Sequence, residues 1–116
     1  MKYHNKKIIR NGEKFDSIKE YQRWVELCIL EQGSLISDLR RQVKYVLIPS
    51  QYQECGKKKK CIERECSYIS DFSYFDSDGK LHVEDVKGYK GGGAYAVFKI
   101  KRKLMLYIHN IIVEEV

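Results

Sequence analysis

Two runs decide how this chain folds: Tyr68-Ile69-Ser70-Asp71-Phe72 and, after the turn signal Asp76-Ser77-Asp78-Gly79, His82-Val83-Glu84-Asp85-Val86-Lys87-Gly88. Both are rich in β-branched and aromatic residues, and the polar Asp-Gly turn between them predicts two adjacent strands. The unusual feature is acids set inside apolar strands. Side chains alternate with period two, so Asp85 and Lys87 share one face of the second strand, with Glu84 and Val86 on the other. Pairing with the first strand then brings Asp71 beside Asp85. Two carboxylates that close repel unless a cation, a proton or a lysine compensates, and hard oxygen donors suit Mg²⁺ or Mn²⁺ better than a softer metal. The competing reading is bland: charged residues at strand ends beside Asp-Gly turns are common.

Towards the N-terminus, Ile8-Ile9-Arg10, Asn11-Gly12 and Glu13-Lys14-Phe15 read as a small hairpin, because Asn-Gly accepts the positive φ angles of a tight turn. Ser17 and Glu20 have the spacing of a capping box. Tyr21, Trp24, Val25 and Cys28 follow at helical intervals, which predicts a first helix over about 17–32 stopped at Gly33. Leu35 to Leu39 reads as a turn or irregular piece, and Val43 to Ile48 as a strand ended by Pro49. Gly56 with Lys57-Lys58-Lys59-Lys60 makes an exposed turn between Gln51–Cys55 and one extended stretch from Cys61 to about Phe75.

Towards the C-terminus, Gly88 and Gly91-Gly92-Gly93 read as a flexible link. A second helix is expected over about 95–108, with Val97, Ile100, Leu104 and Ile108 as its apolar stripe. Asn110 ends it and Ile111-Ile112-Val113 supplies a last short strand.

Composition narrows the class. The 116 residues fit one domain, 33% are charged, and 22 Lys+Arg against 16 Asp+Glu give a net charge of +6. That balance suits a polyanion, an anionic surface or plain solubility, and does not choose among them. No apolar run reaches the roughly 18–20 residues of a membrane span, and Met1 to Lys7 precede no apolar signal core, so an intracellular setting with reduced cysteines is expected. Cys55, Cys61 and Cys66 are spaced too widely for a usual zinc knuckle, and His4, His82 and His109 form no catalytic set. Neither a triphosphate-binding loop nor a dinucleotide fingerprint is present, so no nucleotide cofactor is indicated.

Asp71 followed, after the turn, by Asp85-Val86-Lys87 resembles the D…(D/E)-x-K core of the PD-(D/E)XK nuclease superfamily. The wider ordered set is similar to a family of small phage-encoded nuclease-like proteins. It comprises Phe15-Asp16-Ser17-Ile18-Lys19-Glu20, Gly33 with Leu39 and Gln42, Ser70-Asp71-Phe72, Val83 to Gly88, and Tyr95 with Phe98 to Lys103. The resemblance covers nearly the whole chain. It implies an α/β fold, a restriction-endonuclease-like mixed β-sheet flanked by helices, over a single domain 1–116. It implies a Mg²⁺-dependent DNA endonuclease, with Mn²⁺ as substitute, acting in the host cytoplasm if phage-encoded. Branched recombination or replication intermediates such as Holliday junctions are the substrate class it points to, and such a substrate favours a homodimer because two related strands must be cut.

On that resemblance Asp71 and Asp85 hold the metal, the Val86 backbone carbonyl adds a ligand, Glu20 contributes directly or through water, and Lys87 assists the nucleophile. Gln42 resembles a family position near the active site, and Lys99, Arg102 and Lys103 are candidate phosphate contacts. One departure is Ser70, which stands where the superfamily usually has proline. Alternatives stay open at several positions: Glu20 as a helix cap only, Gln42 as a strand-edge residue, the basic helix and the tetralysine turn as solvated surfaces. The second functional reading is a non-catalytic nucleic-acid-binding module that keeps a nuclease-like fold.

Overall fold

The computed structural model describes residues 7–116, so His4 and most of the basic first segment lie outside the described residues. Asn11 and Gly12 both take positive φ, 53° and 78°, and fold β1 (Ile8–Arg10) onto β2 (Glu13–Phe15) as the Asn-Gly pair requires. Ser17 then starts α1 (Ile18–Gln32): its Oγ accepts the Glu20 N–H at 3.0 Å, and Glu20 Oε2 accepts the Asp16 N–H at 3.0 Å. At the other end Gly33 donates to the Ile29 carbonyl at 3.0 Å. The left-handed residue that turns the chain is Ser34, φ 62°.

The segment expected to be irregular at Leu35–Leu39 belongs instead to a long strand, β3 (Ile36–Ile48). Its polar first half gives no clear alternation, and two residues, Asp38 and Gln42, hold left-handed φ angles of 53° and 55°. Pairing with an apolar neighbour stabilises what local composition does not. β4 (Gln51–Cys55) and β5 (Lys58–Glu63) form a separate hairpin around Gly56. The extended stretch expected from Cys61 is thus divided at Arg64-Glu65, after which β6 (Cys66–Asp76) begins. The turn into β7 (Leu81–Asp85) is held by Asp76 Oδ1, which accepts the N–H groups of Asp78 and Lys80 at 2.9 Å.

The second helix, α2 (Gly92–His109), starts earlier than expected and takes in two of the three glycines, with Gly91 as its N-cap. Gly91 is tied to a close approach, since a Cβ there would sit 2.8 Å from the Tyr89 hydroxyl. Asn110, φ 56°, ends the helix, and the last strand, β8, lies at Val113–Glu115 rather than 111–113.

Strand order is β3-β6-β7-β8, antiparallel for the first two pairings and parallel for the last, so the molecule is mixed α/β with a mixed sheet flanked by two helices. On the α1 side Leu27 packs against Ile36, Phe72 and Tyr74, with Trp24 stacked on Phe72. On the α2 side Phe98 and Met105 pack against Leu47, Tyr68, Val83 and Val113. Of the expected stripe only Leu104 packs against this core, whereas Val97 and Ile100 are 52% and 60% exposed. Both stripes have helical spacing. Burying the aromatic Phe98, stacked on Tyr95, removes more apolar area from water than burying Val97 one position away.

β3 and β6 each serve both faces. Arg41 lies over Phe15 and Trp24 on the α1 side, whereas Tyr45 and Leu47 pack with α2. Strict alternation would keep all three together, and left-handed Gln42 marks the interruption. The opposing strand follows, with Phe72 towards α1 and Tyr68 towards α2.

The four cysteines are free, with Cys61 opposite Tyr52 and Cys55 opposite Lys58. Among the described residues no helix is long and apolar enough to cross a membrane.

A buried ion pair fixes α1 to the sheet. Glu84, 1% exposed, accepts from Arg23 Nε at 2.8 Å and Arg23 Nη2 at 2.6 Å, and also from the Tyr74 hydroxyl. Removing the guanidinium alone leaves a buried carboxylate uncompensated, so Arg23→Ala is expected to cost about 3 kcal/mol in urea unfolding. A loss below about 0.5 kcal/mol, ordinary for an exposed pair, would contradict the structural role.

Candidate functional site

β6 and β7 pair with Phe72 opposite Glu84. One step onward sets Asp71 against Asp85, where the ladder gives way to a side-chain bond: Asp71 Oδ2 accepts the Val86 N–H at 2.7 Å. Asp85, buried, is held on both oxygens. Tyr68 donates its hydroxyl to Oδ2 at 2.7 Å, and the Lys87 ammonium lies 2.7 Å from Oδ1. That ammonium also rests 3.8 Å above the Phe98 ring of α2. Asp71, Asp85 and Lys87 thus share one space on the α2 side, while Glu84 faces the other way.

The electrostatics follow from that crowding. Burial pushes the Asp71 carboxyl up to about 7, the neighbouring Asp85 and Glu20 charges push in the same direction, and the Val86 N–H and Lys87 ammonium only partly oppose them. Tyr68 is raised by burial and by the Asp85 charge, so its hydroxyl stays a proton donor to that carboxylate.

Glu20 reaches the same neighbourhood from the first turn of α1. Its Oε2 is used on the Asp16 N–H, so the capping role is present. Its Oε1 is buried with no hydrogen-bond partner and lies 3.6 Å from Arg41 Nη2. Burial is the main reason its carboxyl is raised. Arg41 is itself pinned on Phe15, 4.0 Å from the ring centre, and donates Nη2 to the Lys14 carbonyl at 2.8 Å. Capping and an available buried oxygen therefore coexist in one side chain.

Gln42 is exposed between the pairs Arg41↔Phe72 and Val43↔Ser70, which puts it in the strand position beside Asp71. The basic candidates on α2 divide. Lys99 and Lys103 are exposed, whereas Arg102 is half-buried, turned towards Glu115 at 3.7 Å. Sequence reasoning missed Tyr68 and Lys19. Tyr68 lies three residues before Asp71, where unbroken alternation would send it to the opposite face. Lys19 ties α1 to the end of β7 by donating to the Lys87 carbonyl at 2.6 Å, and its only signal was its place beside Glu20.

Among the described residues no three His, Cys, Asp or Glu side chains form a ready-made metal cluster. Asp71 and Asp85 form a pair, with Glu20 set back against Arg41. A pair suits a hard divalent cation nonetheless, because Mg²⁺ is commonly bound through one or two carboxylates and keeps several of its waters.

With the chain free of metal, Asp71 titrates at about 7 against an ordinary 3.8. Between those values the native state keeps a proton that the unfolded chain releases, so stability falls as pH rises through the window. Asp71→Asn retains an acceptor for the Val86 N–H and removes the titration. In EDTA it is expected to raise the melting temperature, more at about pH 8 than at about pH 5, the full effect being on the order of a few kcal/mol. An equal change at both pH values would exclude this account of Asp71.

The chain matches, over residues 1–113, a family model described as protein of unknown function (DUF1064). No curated protein and no solved structure matches it. Since the family match runs through both helices and through the strands that carry Asp71 and Asp85, the chain belongs to the DUF1064 family.

Proposed function

We propose that the chain is a Mg²⁺-dependent DNA endonuclease of the PD-(D/E)XK type. The observation that carries this reading is the juxtaposition of two carboxylates, the half-buried Asp71 and the buried Asp85, with the Lys87 ammonium 2.7 Å from Asp85. A raised Asp71 next to the buried Asp85 is a costly arrangement that structure alone does not require, and such costs gather at functional sites. Glu20 Oε1, buried without a hydrogen bond and 3.6 Å from Arg41 Nη2, supports a third donor acting directly or through water.

Asp71 and Asp85 would hold Mg²⁺, or Mn²⁺ in its place, with the Val86 carbonyl as a further donor. When bound, the ion polarises a phosphoryl oxygen and lowers the pKa of a water. The protein's own groups do the rest. Tyr68 fixes the orientation of Asp85, and Lys87, braced on Phe98, orients the attacking water and stabilises negative charge developing on phosphate. Gln42, beside Asp71, together with Lys99 and Lys103, supplies contacts to the DNA. Arg102 joins them on leaving Glu115. The net charge of +6 supports a polyanionic substrate. We infer branched DNA such as Holliday junctions as that substrate, cut by a symmetric dimer.

A second reading has its own observation. The Lys87–Asp85 pair and the Arg41–Glu20 approach already neutralise these acids without metal, as a non-catalytic nucleic-acid-binding module would.

Incubating the protein with junction, flap and linear DNA separates the two. Cleavage is expected with Mg²⁺ or Mn²⁺ and none in EDTA, with Asp71→Asn and Lys87→Ala each slowing it by roughly 10²-fold or more. Calorimetric Mn²⁺ binding is expected to vanish in Asp85→Ala. Salt-dependent DNA binding with no cutting and no Mn²⁺ heat would establish the second reading instead.

A further inference from the structure

β4 and β5 leave the four-stranded sheet and pair only with each other in a sheet of their own. Every residue from Gln51 to Glu65 is exposed, and neither strand contributes to either core. A lone two-stranded ribbon is marginally stable in water, so this one lacks the packing that normally justifies its presence. Its charge is one-sided. Lys57, Lys58, Lys59, Lys60 and Arg64 outweigh Glu54 and Glu63, and Glu65 is occupied with Lys44 at 2.5 Å. Alternation distributes the lysines over both faces, with Lys58 and Lys60 on one and Lys59 on the other.

The ribbon continues the two strands that carry Gln42 and Asp71. From Asp71 back along β6 and β5 is 11 residues to Lys60 and 13 to Lys58, at about 3.3 Å each a path of at most roughly 36 to 43 Å. The long dimension of 57 Å has room for such a projection. That distance is close to one helical turn of duplex, about 34–36 Å.

We propose that the β4–β5 hairpin is a cationic arm that holds the phosphate backbone of duplex DNA about one helical turn from the Asp71–Asp85 site. The assignment rests on the DNA reading above and adds a second contact surface to it. An apolar protein partner is disfavoured by the arm's chemistry, whereas closely spaced lysines on both faces complement a polyanion without reading sequence.

The test is fluorescence anisotropy in EDTA, so that nothing is cut, with a duplex of about 30 base pairs and a looped stem of about six. The full chain is compared with variants in which Lys57 to Lys60 are all changed to Gln or all to Arg. The Gln variant is expected to bind the long duplex about 10- to 100-fold more weakly, with a salt slope smaller by about three to four. Its affinity for the short stem should match the parent's, and the Arg variant should bind like the parent. Equal affinity and slope for parent and Gln variant on the long duplex would overturn the arm and leave DNA binding at the site intact. If the parent binds no duplex at all, both readings fall. Arm-dependent binding to an RNA duplex alone, or weakening equal on both DNA lengths, also overturns the proposal.

Discussion

The register that sets Phe72 opposite Glu84 determines what each face of this sheet can do. It sends Glu84 towards α1 and Asp85 towards α2, and it sets Asp71 beside Asp85. A slip of one residue would exchange the two acids, carrying Asp85 and Lys87 together to the α1 side under Arg23 and turning Glu84 towards α2, and every apolar neighbour would change face with them. The Asp-Gly turn, pinned by Asp76, fixes that register from one end, and the Val86 N–H on Asp71 fixes it from the other.

Adjacent acids meet different fates because their surroundings differ. Glu84 meets a guanidinium whose fork satisfies both its oxygens, and Tyr74 adds a further donor. Such satisfaction makes a buried charge tolerable and chemically inert. Asp85 is held by Tyr68 and Lys87, whereas Asp71 has the Val86 N–H, and burial together with the neighbouring Asp85 and Glu20 charges displaces its carboxyl upward. One side of the strand is an anchor, and the other sets two acids side by side with one lysine.

Much of this was legible in the sequence because it depended on short-range geometry. Asn11-Gly12 and Ser17 with Glu20 carry their local structure in residue type, and the alternation through Glu84-Asp85-Val86-Lys87 places their side chains correctly. Other features were decided by long-range packing. The phase of α2 was set by Phe98 meeting Tyr68 and Val83, which spacing along the helix does not encode. The beginning of β3 was hidden because Asp38 and Gln42 adopt left-handed angles that interrupt the pattern used to find strands. The same interruption brings Tyr68 onto the Asp71 side, so the missed strand and the missed donor share a cause. Residue type leaves Glu20 open as cap or site residue, but a carboxylate has two oxygens and here they part company.

β7 is gripped from above and below. Arg23 and Lys19 of α1 hold the Glu84 carboxylate and the Lys87 carbonyl, and Phe98 of α2 supports the Lys87 ammonium. A strand clasped in this manner has little liberty to roll about its own axis. Both helices thus bear on one short length of backbone, Glu84 to Lys87, from opposite faces of the sheet.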